Sequence, residues 1–103
     1  MARPKSGFDV LQYEVQEEQA ATIGRIARQL EESLEALRAH DAAAAGGERS
    51  AERRRLVDAA AYALWNFVVQ RECAGFRFTE QVLKQYAIPR EVRMKMGAVV
   101  RPV

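Results

Sequence analysis

Residues able to act as nucleophiles or metal ligands are scarce in this chain: one cysteine, Cys73, and one histidine, His40, among 103 residues. Cys73 follows Glu72 near the end of an apolar run. A neighbouring carboxylate and a helix C-terminus both disfavour a thiolate, so a structural role is expected rather than a nucleophilic one. His40 has Asp41 beside it but no CxxC, HxxxH or carboxylate cluster at ligand spacing. Its expected role is a cation near a helix C-terminus. The glutamates come in two groups, Glu14, Glu17, Glu18 and Glu31, Glu32, Glu35. A di-iron bundle needs inward glutamates joined by Glu-x-x-His motifs, and those histidines are missing. Solvated helix faces are expected instead. The sequence predicts no catalytic residue, no cofactor and no metal site.

Arginine is the other chemistry-bearing residue type. Arg49, Arg53, Arg54 and Arg55 cluster at the start of a predicted helix, where positive charge opposes the helix dipole. Their expected partners are Glu48, Glu52 or the acidic first helix; the sharper reading is a phosphate or an acidic partner. Residues 82–96, VLKQYAIPREVRMKM, have the order helix, turn, basic helix of a helix-turn-helix DNA reader. There Arg90, Arg93 and Lys95 would contact phosphates. Against it stand bulky Leu83 and Tyr86, Ala87 where such turns use glycine, and a second helix cut short by Gly97. Arg53, Arg54, Arg90 and Arg93 are therefore the candidate anion-binding residues, as an alternative reading. Residues 1–50 hold six Lys/Arg against nine Asp/Glu, and residues 51–103 hold ten against five. Self-complementary packing with solvated faces is the plain reading of that asymmetry, and an exposed basic surface in the second half that meets an anionic partner is the sharper one; an overall charge of +2 is too mild to imply nucleic acid by itself.

The most informative segment is residues 56–75, LVDAAAYALWNFVVQRECAG. Its apolar residues do not fit one narrow stripe, and a helix apolar all round must be buried all round. Leu64, Trp65, Asn66, Val68, Val69, Gln70 and Glu72 are the core or interface candidates. Asn66 and Gln70 are four apart and share a face. They are read either as an amide pair that sets the register of two helices or subunits, or as a small polar pocket. Trp65 is read as a core or interface anchor.

These residues need helices to position them. Ser6 is a suitable N-cap, with Asp9 three residues on. Leu11, Val15, Ile23, Ile26, Leu30, Leu34 and Leu37 then recur at helical spacing. The helix is predicted to pass His40, to take in alanines 42–45, and to stop at Gly46 and Gly47. A helix of roughly 30 to 38 residues spans ~45–57 Å, and a compact 100-residue domain has a radius of gyration of only ~13 Å. Its N-terminal stripe must dock on the C-terminal segments or on a second copy. Ser50 caps the second helix, which ends at Gly75; the short link over 46–49 makes the two helices antiparallel neighbours. Thr79 is predicted to cap a third helix over 80–87. Pro89 opens a fourth, with Val92 and Met96 inward and Gly97 at its end. Residues 1–7 are expected to be a loose arm and 98–103 a tail.

The size fits one domain. No apolar stretch approaches the ~18 residues of a membrane span. The lone cysteine excludes an intrachain disulfide, and residues 1–10 lack the apolar run of a signal peptide. A cytosolic protein is the expectation.

Residues 63–75, ALWNFVVQRECAG, together with 86–97, YAIPREVRMKMG, resemble a family of short α-helical bacterial proteins of unknown function. The resemblance implies a single helical domain in a bacterial cytosol and transfers no functional residue.

The expected fold is all-α: a long antiparallel helix hairpin plus two short C-terminal helices, paired into a dimeric helical bundle. A monomer with the short helices folded back on the first is the other arrangement considered. The expected function is a non-enzymatic homodimeric interaction or structural module, with an unidentified protein partner as a further possibility. The alternatives are a weak nucleic-acid binder using the basic second half and a small ligand-binding bundle around Asn66, Gln70 and Glu72.

Overall fold

The computed structural model describes residues 6–43 and 50–100, with side chains to residue 97. They form four helices: α1 (Gly7–Ala43), α2 (Ala51–Cys73), α3 (Thr79–Tyr86) and α4 (Arg90–Val100). There is no strand among the described residues. The expected arm over 1–5, the turn over 46–49 and the last three residues of the tail lie outside the described residues.

α1 starts where its cap places it: the Asp9 amide donates to Ser6 Oγ at 3.2 Å. Its inner face is Ile26, Leu30, Leu34 and Leu37, all buried. α2 is capped by Ser50, whose Oγ accepts from the Arg53 amide at 3.0 Å. The end of α1 meets the start of α2 through Asp41 and Arg53, and Ile23 lies near Gln70 and Cys73, so the two helices are antiparallel. α2 sits centrally, with α1 on one side and α4 on another. Ala60, Ala61, Ala63, Leu64 and Phe67 are its buried residues. The alanines let the neighbouring helices approach closely, while Leu64 and Phe67 fill the space between them. Leu83 from α3 and Val92 from α4 complete one continuous core.

α2 ends in a Schellman turn. The Phe76 amide donates to Arg71 O at 2.9 Å and the Gly75 amide to Glu72 O at 3.0 Å. Gly75 takes φ +83°, which a Cβ would strain. The Arg71 guanidinium lies 5.3 Å from the Phe76 ring centre, in place of the usual apolar contact across this motif.

Several expected helix ends move, including that of α3, which stops at Tyr86 rather than Ala87. Thr79 does not cap α3 but is its first residue; Phe78 precedes it at φ 63° and makes no side-chain capping bond. With Thr79 already helical, its hydroxyl is not placed to reach back to the orphan amides as an N-cap would. Pro89 stands one place before α4, its carbonyl accepting from the Val92 and Arg93 amides. Gly97 does not stop α4: its backbone stays helical and the helix continues to Val100. Ala87 ends α3 at φ 52°, so non-glycine residues in the left-handed region bracket this short helix. Such a residue costs roughly 1–2 kcal/mol.

The radius of gyration is 17.3 Å, with extents of 60 × 32 × 21 Å. The excess over a compact chain comes from α1, whose 37 residues far outrun the 23 of α2.

Candidate functional site

The N-terminal part of α1 lies beyond the end of its partner helix. The last turn of α2 meets α1 near Gln19, Thr22 and Ile23, so the residues before that have no α2 to pack on. Phe8 is 70% exposed and Leu11 58%, and Val10, Tyr13 and Val15 are exposed as well. Phe8 and Ile26 are eighteen residues apart, five helical turns, and therefore share a face. Leu11 and Val15 flank that line. The apolar stripe buried at Ile26 and Leu30 thus runs on, uncovered, to the start of the helix.

A cleft of about 340 Å³ marks the step where α2 stops. Val15, Thr22 and Ile23 form one wall and Gln70, Cys73 and Ala74 the other. The overhang is one-signed: Asp9, Glu14, Glu17 and Glu18 are its only charges before Arg25.

The candidate residues of α2 separate by face. Leu64 is fully buried within the chain, in the core that α1, α2, α3 and α4 share. Trp65, Asn66, Val68, Val69 and Gln70 are half-buried, and Glu72 is exposed. Trp65 leans on Tyr62 with ring centres 5.8 Å apart, and Tyr62 is itself 58% exposed. The described residues therefore leave one side of α2 open, along Tyr62, Trp65 and Val69. Val68 is turned the other way, into a groove of about 440 Å³ with Phe76, Phe78, Leu83 and Met96. Neither Asn66 nor Gln70 makes a side-chain hydrogen bond among the described residues. Gln70 and the exposed Cys73 rim the cleft.

Of the four candidate anion-binding arginines, two are already occupied. Arg53 reaches Asp41 with Nε at 2.7 Å and Nη2 at 3.0 Å, and Glu91 with Nη2 at 2.6 Å and Nη1 at 2.8 Å. One guanidinium thereby joins the end of α1 and the starts of α2 and α4. Its hydrogen bonds hold the Asp41 and Glu91 carboxyls below their ordinary pKa, and the two carboxylates raise that of Arg53. Arg93 bonds Glu80 across α4 and α3 at 3.0 and 3.1 Å and lowers the Glu80 pKa. Arg54 and Arg90 are exposed and enter no ion pair among the described residues. Arg55 pairs with Glu52, so of the expected partners Glu52 and the first helix are both engaged, while Glu48 lies outside the described residues. Arg49 lies outside the described residues. In the segment weighed as a DNA reader, Arg93 is tied to Glu80 and Lys95 lies 3.4 Å from Asp58, leaving Arg90 as the unpaired basic side chain of the three. His40 Nδ1 stands 3.8 Å from Asp41 Oδ1, beyond a hydrogen bond.

One link of the site has no local sequence signal, the bond from Arg53 to Glu91. The Asp41–Arg53–Glu91 cluster joins residues 12 and 38 positions apart. Helix length predicts that the N-terminal stripe of α1 docks on the C-terminal segments or on a second copy; none of the described C-terminal segments covers Phe8, Leu11 or Val15.

Among the described residues, no helix is long and apolar enough to cross a membrane and no group of three or more His, Cys, Asp or Glu is placed to hold a metal ion. No curated protein and no solved structure matches the chain. The model of the family of unknown function DUF6665 matches residues 1–103, and the chain belongs to that family.

Proposed function

We propose that the protein is a non-enzymatic helical module that acts as a homodimer. The observation that carries this reading is the uncovered apolar stripe Phe8–Leu11–Val15, continuous with the buried face of α1. Large contiguous apolar surface on a small domain marks an interaction site. The open side of α2, with Tyr62, Trp65 and Val69, supports the same reading. The reading takes the protein to be cytoplasmic and bacterial, in keeping with a lone cysteine that forms no intrachain disulfide.

Sedimentation velocity from low to high micromolar concentration tests it. A species of twice the mass of an 11.6 kDa chain is expected to dominate at the upper end. A single monomeric boundary throughout overturns the homodimer.

A further inference from the structure

We infer that the occupant of the α1 overhang is a second copy of this chain, bound antiparallel about a two-fold axis near Gln19 and Ala20, so that Glu14 of each copy pairs with Arg25 of the other. The inference rests on the homodimer reading and adds its geometry.

Two unpaired charges set the register. Glu14 has Val10, Leu11, Glu17 and Glu18 at its helical neighbour positions, and Arg25 has Ala21, Thr22, Arg28 and Gln29. Neither has an opposite charge three or four residues away, where a helix would offer one. Neither enters an ion pair among the described residues; the Arg25 guanidinium only donates to Thr22 Oγ1, at 3.1 Å. Both are exposed. They are eleven residues apart, close to three turns, and so lie on the same edge of α1, beside the line of Leu11, Val15 and Thr22.

Antiparallel pairing brings like edges of two helices together. A two-fold axis midway between residues 14 and 25 therefore sets Glu14 against Arg25 twice. A two-fold interface is self-complementary in this way by construction. The wider charge pattern agrees: the overhang is wholly acidic up to Gly24, while the exposed Arg25 and Arg28 follow directly. A parallel pairing would instead stack Asp9, Glu14, Glu17 and Glu18 on their own copies. A one-signed helix also disfavours an acidic partner.

The same register covers the apolar surface. With the axis there, residues 7–17 of one copy lie beside residues 22–32 of the other. Val15 then sits opposite Gly24 of the other copy, at the edge of the cleft walled by Thr22, Ile23, Gln70 and Cys73.

The test is a charge swap in the full chain, with association measured by sedimentation equilibrium and helicity by circular dichroism. Glu14→Arg places two arginine pairs in the interface and Arg25→Glu two glutamate pairs. Each is expected to weaken dimerisation about tenfold with helicity unchanged. The combined variant restores opposite charges and is expected to return to within about twofold of the wild type. If the wild type dimerises but the single variants associate as well as it does, this register is overturned while the homodimer stands. If the combined variant stays as weak as the singles, the register is likewise overturned. If the wild type is monomeric, both conclusions fall.

Discussion

Arg53 of α2 and Glu91 of α4 are 38 positions apart in sequence and meet at 2.6 Å, with a second bond at 2.8 Å. The same guanidinium holds Asp41 of α1 at 2.7 Å. A planar donor fork can bind two carboxylates at once, which an ammonium does poorly. The contact fixes where α4 begins relative to the hairpin. Arg53→Ala leaves Asp41 and Glu91 repelling each other, so it is expected to lower the thermal midpoint more than Glu91→Gln. The double variant should fall short of the sum of the single effects, because both remove one shared contact. Thermal unfolding followed by circular dichroism measures all three, and Arg53→Lys should recover only part of the loss.

The same cluster predicts acid sensitivity. Asp41 and Glu91 have folded pKa values below their ordinary 3.8 and 4.5, chiefly through hydrogen bonds from Arg53. Glu80 is lowered from 4.5 by Arg93. In the unfolded chain these groups take up protons first as pH falls, so the folded state loses its advantage there. Their contribution is fully present above the ordinary carboxylate values and is lost as pH drops through them toward the depressed ones. Urea midpoints between pH 7 and pH 3 should fall, and Glu91→Gln should flatten that fall.

Leu64 is covered entirely by its own chain, whereas Leu11 is 58% exposed. Leu64→Ala is expected to destabilise the fold by about 2–5 kcal/mol through lost burial and a residual cavity. Leu11→Ser should change monomer stability by no more than about 0.5 kcal/mol. In a homodimer it should also abolish the rise of the thermal midpoint with protein concentration. Thermal scans at several concentrations separate the two effects.

Two glycines of similar appearance should respond oppositely to alanine. Gly75 sits at φ +83° in the Schellman turn, so Gly75→Ala is expected to cost about 1 kcal/mol. Gly97 lies inside α4, and a Cβ placed there would meet nothing within 4 Å, so Gly97→Ala should add up to about 1 kcal/mol. Urea unfolding of the two variants gives the signs directly.

Ala87 holds φ 52° at the end of α3, a conformation that glycine takes without strain. Ala87→Gly is expected to stabilise by up to about 1 kcal/mol, while Ser50→Ala removes the α2 cap and should cost about 0.5–2 kcal/mol. Differential scanning calorimetry of both variants checks the pair.

Local physics made much of the fold legible. The spacing of Ile26, Leu30, Leu34 and Leu37 marks the inner face of α1, and Ser6 and Ser50 mark helix starts, because caps and periodicity depend on residues three or four apart. The misplaced ends at Thr79, Pro89 and Gly97 have a different cause. Each residue type is compatible with more than one position at a helix terminus, so the residue type alone does not select among them. That α2 is apolar on most sides was plain in the sequence, but which side the chain covers was not: Leu64 is enclosed, while Tyr62 remains open. Burial, the Arg53 cluster and the uncovered stripe of α1 all depend on which distant segments end up side by side. That information is carried by the relative lengths and placement of whole helices, not by any short run of residues.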